Sequence, residues 1–70
     1  MTNEMFRTIR LYLDMTQEQF AKLLCISPST VGMIETGNRV ITPRVRAKIA
    51  SRVELNDDFY LFREKMSKIS

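Results

Sequence analysis

The sequence predicts an all-α protein, a compact bundle of five helices. Three observations carry that reading. Cap-type residues stand at regular points along the chain (Thr16, Ser27, Thr42 and Asn56), two of them directly followed by proline. Between them, apolar residues recur at spacings of three and four. Nowhere does apolar and polar character alternate with a period of two for long enough to make a strand.

The first helix, near residues 3–13, is the least sharply marked: Thr2 or Asn3 is its cap, and Met5, Ile9 and Leu13 line one side. The second, near 16–24, opens on a capping box. Thr16 can accept from the backbone of Gln19 while Gln19 reaches back, and Met15 and Phe20 occupy the positions of a hydrophobic staple. Phe20, Leu23 and Leu24 form its apolar side. The third helix, near 28–36, begins after Ser27 with Pro28 at the first helical position, where the missing N–H costs nothing. Ile26 can staple to Val31, Val31 and Ile34 face inward, and Gly37 suits the left-handed residue just past the end. The fourth, near 43–53, repeats the cap-then-proline grammar with Thr42 and Pro43, and buries Val45, Ile49 and Val53. Asn56 caps the fifth, near 57–67, with Asp57 and Asp58 in the first turn where the helix dipole favours acids; Phe59, Phe62 and Met66 share a face. There is no repeat, no low-complexity segment and no linker.

Seventy residues are read as one domain, 1–70, with a small core, since such a chain buries only about 60% of its unfolded surface. Cys25 is the sole cysteine, so no intrachain disulfide is available and a reducing compartment fits best. Its apolar neighbours Leu23, Leu24 and Ile26 lead us to expect a packed or turn-forming thiol. Histidine is absent, which removes the common zinc patterns. With no cysteine–base pair, metal cluster or phosphate loop either, no enzyme and no cofactor are expected. The opening "MTNEMFRTIR" lacks the apolar core and cleavage site of a signal peptide, and no apolar run approaches membrane-spanning length, so no membrane association is expected.

The net charge is +3, and its distribution is more telling than its size. Between Ile34 and Glu54 the only acid is Glu35, whereas Arg39, Arg44, Arg46, Lys48 and Arg52 are basic. A basic patch is the footprint expected for a polyanion, although a solvated helix face can look the same. The third helix adds a second sign. Taking Val31 as the centre of its buried side, Ile34 and Glu35 lie with it, Gly32 falls on the flank, and Ser29, Met33 and Thr36 point away. That outer face has no charge, where a helix lying merely in water would carry Lys and Glu. Two short helices joined by the three residues "CIS" have the spacing of a helix-turn-helix over residues 16–36, whose second helix can enter a major groove. An αα-hairpin in an ordinary bundle has the same spacing.

The stretch "TQEQFAKLLCISPSTVGMIETGNR", residues 16–39, resembles the helix-turn-helix of the Cro/C1-type (XRE-like) family of DNA-binding regulators of bacteria and their phages. The likeness rests on Thr16-Gln17, Ala21, Leu24, Ile26-Ser27, Val31, Ile34-Glu35 and Gly37, and extends over about residues 3–66. It implies the lambda repressor-like fold. Cys25 departs from the pattern, standing where the family usually has glycine; a positive φ there would strain it. By the resemblance, Pro28, Ser29 and Met33 face base edges with Gly32 beside them. Gln17 touches a phosphate, Asn38 and Arg39 contact the DNA backbone from the loop, Thr42 and Arg44 lie near the same strand, and Arg10 pairs with Glu35.

The residues can be read without the family as well. A helix N-terminus such as that at Gln17 is itself an anion site, Met33 can pack on a thymine methyl, and Ser29 can donate and accept. With so few bidentate readers, shape readout and phosphate contacts would carry much of the specificity.

The leading expectation is a sequence-specific, double-stranded DNA-binding transcriptional regulator, a small phage, prophage or bacterial repressor acting through helix 28–36. A cytoplasmic location, nucleoid-associated when bound, is expected, and the absence of a second domain leads us to expect no effector pocket. Helix 57–67 carries more apolar residues than one small core needs (Tyr60 and Leu61 as well as Phe59 and Phe62), which suits a homodimer contact. The alternative reading uses that same helix as a protein-interaction module or anti-repressor-like partner of another regulator.

Overall fold

The computed structural model describes residues 1–69 as five α-helices, α1 (Asn3–Tyr12), α2 (Gln17–Leu24), α3 (Pro28–Glu35), α4 (Pro43–Arg52) and α5 (Asp57–Ile69). Each helix begins on a side-chain cap. Thr2, Thr16, Ser27 and Thr42 accept from the backbone N–H three residues on, and Asn56 Oδ1 accepts from Phe59 N–H at 3.2 Å. At Thr16 the capping box is complete: Gln19 N–H donates to Thr16 Oγ1 at 3.1 Å, and Thr16 N–H to Gln19 Oε1 at 2.9 Å. These bonds satisfy donors that the helix itself leaves orphaned.

Three helices end in the same way, with two backbone amides turned back onto the last turn and a left-handed residue between. After α3 this residue is Gly37 (φ 82°), and Asn38 N–H reaches Met33 O at 2.8 Å. After α1 it is Asp14 (φ 56°), and after α2 it is Cys25 (φ 58°). Asp tolerates this conformation through its short polar side chain, but cysteine has no such excuse. Cys25 therefore forms the turn, as one branch of the sequence reading had it. Its thiol is exposed rather than packed.

The core joins all five helices: Phe6 and Ile9; Phe20, Ala21 and Leu24; Val31 and Ile34; Val45, Ile49 and Val53; and Phe59. The buried side of α1 is centred one residue away from the expected one, on Phe6, with Met5 and Leu13 half-buried at its edges. Phe6 stacks tilted on Phe20 at a centroid distance of 5.1 Å, which locks α1 to α2. α1 packs on α3 and α5, and α2 on α3 and α4. α5 runs to Ile69, two residues beyond the expected end, because nothing between Met66 and Ile69 breaks a helix. The radius of gyration, 11.5 Å, matches the value of about 11 Å for a packed chain of this length.

Candidate nucleic-acid interface

The site is built on α2 and α3. Three residues separate them, and the left-handed backbone of Cys25 turns the chain so that Ile26 returns to the core. Ala21 is buried in the core, and α2 packs directly on α3. α3 then presents a buried side of Val31 and Ile34 and an open side of Pro28, Ser29, Met33 and Thr36. No charged side chain lies on that open side. Met33 is 37% exposed, which an ordinary core methionine would not be.

Two ion-pair partners fix the angle of α3. Arg10 of α1 donates from Nε to Glu35 Oε2 at 2.6 Å and from Nη2 to Oε1 at 2.9 Å, and from Nη1 to Met15 O at 2.9 Å. The side chains are only 12% and 5% exposed, Arg10 and Glu35 respectively. The fork is bidentate and spends three donors on two elements, so it sets orientation as well as distance. The hydrogen bonds to Glu35 hold the Arg10 guanidinium more firmly protonated than a free arginine, against the opposing effect of burial. Arg7 approaches the same carboxylate at 3.9 Å from an exposed position.

Gln17, the first residue of α2, joins this network. Its Nε2 donates to Glu35 Oε1 at 3.3 Å, and a Cβ placed on Gly32 would lie 3.7 Å from its Oε1. Gly32 is therefore half-buried against Gln17, turned to α2 more than to the open side. A methyl here would make only ordinary contact with Gln17, so it is a longer side chain that the close approach of the start of α2 to the middle of α3 leaves no room for. That end of α2 can offer free backbone amides to a phosphate.

The loop after α3 carries Asn38 and Arg39, both exposed; Asn38 Nδ2 donates to Thr36 Oγ1 at 3.0 Å. Thr42 Oγ1 accepts the cap bond from Val45 N–H at 3.2 Å, leaving its own hydrogen free to donate, and Arg44 is exposed in the first turn of α4. Among the described residues Arg39, Arg44, Arg46 and Arg52 enter no ion pair. Gln17, Gly32, Glu35 and Arg10 are thus brought together, whereas among the described residues no hydrogen bond or ion pair links Thr42 or Arg44 to α3. Ser29 Oγ lies 3.3 Å from Ser27 Oγ, so its hydroxyl is partly engaged by the cap.

One residue of this region escaped the sequence reading except as a second choice of cap. Asn3 Nδ2 donates to Ile34 O at 2.8 Å and to Arg39 O at 3.0 Å, bridging α1 to the end of α3 and the loop beyond it. A faint signal existed: Thr2 already supplies the cap, so a second cap-type residue beside it has no local task.

Two short helices packed on each other across a three-residue turn, the second with an uncharged open face and unpaired arginines downstream, define a helix-turn-helix DNA-binding fold. A helix-turn-helix family model matches residues 6–56, most of the chain. The chain belongs to the Cro/C1-type (XRE-like) helix-turn-helix family, whose members are DNA-binding transcription regulators. Comparisons with curated proteins and with solved structures return no match. Among the described residues no helix is long and apolar enough to cross a membrane.

Proposed function

We propose that residues 1–70 act as one sequence-specific DNA-binding unit, a small bacterial or phage-type repressor that places α3 in the major groove. One observation carries the reading: the open side of α3 exposes Pro28, Ser29 and Met33 without a charge, while exposed, unpaired arginines stand on the segments just after it. Neutral small groups suit the interior of the groove, and cations suit the phosphates along its rim. Gln17, Asn38, Arg39, Thr42 and Arg44 are the proposed backbone contacts. Repression by occluding a promoter needs no surface beyond this one, and access to DNA places the protein in the bacterial cytoplasm. A homodimer through α5 would let two copies read a symmetric site. Tyr60 and Leu61, 50% and 57% exposed, support that contact.

The test separates two kinds of contact. Arg39→Ala and Arg44→Ala should weaken binding to every duplex by a similar factor and each lower the salt slope by about one unit. Ser29→Ala and Met33→Ala should alter which sequences are preferred, by up to roughly 1–3 kcal/mol per base pair, and leave the slope nearly unchanged. Equal effects of both sets on random duplex would contradict a reading role for α3.

The exposed apolar residues of α5 also favour a second reading, a module that binds another regulator. Its binding would depend weakly on salt, because apolar burial releases no counterions.

A further inference from the structure

We propose that Asn3 is a positioning residue for DNA binding: its side-chain amide holds the loop that carries Arg39 against the end of α3. The inference rests on the reading of Arg39 as a phosphate contact. The segment 39–41 lies between two well-tied points, the turn-back of Asn38 N–H onto Met33 O and the Thr42 cap of α4. Within it, among the described residues, a single hydrogen bond is made, the one that Arg39 O accepts from Asn3 Nδ2 at 3.0 Å. Ile41 is half-buried against the core at one side of the segment, and Val40 is open to solvent.

The chemistry of the tie is specific. An amide nitrogen carries two hydrogens, and both are used here, one on Ile34 O in the last turn of α3 and one on Arg39 O. The same nitrogen thus holds the position of Arg39 relative to the helix that would enter the groove. Asparagine does this without charge. An aspartate would have no donor at this site and would place a negative charge beside a segment meant for phosphate. An Arg39 whose backbone is untied has to be ordered at the moment of binding, and that cost outweighs what a single exposed phosphate contact returns, so the contact is lost.

The experiment is a double-mutant cycle read by DNA binding. Parent, Asn3→Ala, Arg39→Ala and the double variant are titrated with random duplex over a salt series, below the melting transition of each. Asn3→Ala keeps the Thr2 cap, so α1 still forms. The expected result is that Asn3→Ala lowers the salt slope by about one unit, as Arg39→Ala does. The double variant should bind within about twofold of the weaker single variant, because both changes remove the same contact. A second variant, Asn3→Ser, carries one donor on a shorter side chain, cannot serve both carbonyls, and should behave as Asn3→Ala does. Two losses that multiply, or an Asn3→Ala slope equal to the parent's, overturn the proposal while leaving Arg39 as a phosphate contact. An unchanged slope in Arg39→Ala overturns the reading of Arg39 and the proposal with it.

Discussion

At Glu35 a single carboxylate accepts a fork from Arg10, a further bond from Gln17 and the approach of Arg7. With the Glu35 side chain only 5% exposed, the pair is strongly asymmetric in its energetics. Removing the acid leaves a guanidinium that is only 12% exposed without its counter-charge. Glu35→Ala should therefore destabilise the fold by about 3 kcal/mol, a drop in Tm of more than about 10 °C for a domain of this size. A thermal melt followed by circular dichroism is sufficient; a Tm within a few degrees of the parent would show that water already compensates Arg10. Cys25 presents the opposite case, a residue held where it is strained. At φ 58° the left-handed backbone costs a non-glycine residue roughly 1–2 kcal/mol, part of which glycine returns as greater freedom in the unfolded chain. Cys25→Gly should raise stability by about 0.5–1 kcal/mol, and Cys25→Val, branched at Cβ, should lower it. Urea unfolding of the three proteins gives the order, and a destabilised glycine variant would mean that the turn is not strained.

The unusual element is α3. Its sequence is poor in helix formers, with a proline first and a glycine in the middle, and its stability comes from the Ser27 cap and from the burial of Val31 and Ile34. Gly32 locates the conflict between propensity and packing. A methyl at this position would meet Gln17 at 3.7 Å, which is ordinary contact, so Gly32→Ala should be accepted and should stabilise the helix by up to about 1 kcal/mol. Gly32→Leu is different. The longer side chain has to displace Gln17 from Glu35, and with it the start of α2 that would meet a phosphate. It should abolish DNA binding while the leucine variant still melts cooperatively. Retained affinity in that variant would mean that neither this flank of α3 nor the start of α2 meets the DNA. By sequence Gly32 lies beside the base-facing residues; the contact with Gln17 adds a limit on side-chain size that a helical wheel does not contain.

At the level of the whole molecule, α5 is the helix least enclosed by its neighbours. Phe59 and Phe62 meet Tyr12 edge-on at centroid distances of 5.3 and 5.5 Å, and Phe59 is fully buried. Tyr60 and Leu61 remain exposed on other sides of the helix, and Ile69 at its end. If two copies meet there and read a symmetric site, the two α3 helices should fall about 34 Å apart, one turn of DNA. Leu61→Lys should then weaken cooperative binding at a two-half-site duplex, with stability changed by no more than about 0.5 kcal/mol, as for other surface substitutions. Binding-site selection followed by mass measurement of the complex tests this. A non-repeated site bound by one copy would leave the apolar side of α5 to another partner.

The sequence by itself determined the five helices and nearly all their ends, because caps and turn residues act within four positions of where they stand. Thr16 with Gln19, Ser27 with Pro28, Thr42 with Pro43, and Gly37 are legible for that reason. It also determined the inward side of α3, through spacing alone, and the helix-turn-helix through the residues it shares with a known family. The rest depended on distance in space. That Phe6 rather than Met5 centres α1 follows from where Phe20 lies, and the wheel cannot decide between neighbours one step apart. The Arg10–Glu35 pair spans 25 positions; the family resemblance suggests it, but only the packing of α1 on α3 makes it part-buried and bidentate. Gln17 over Gly32 and Asn3 across 31 and 36 positions left no comparable sign in the sequence. A side chain that serves another element is chosen by that element's position, and only tertiary packing decides where it will be.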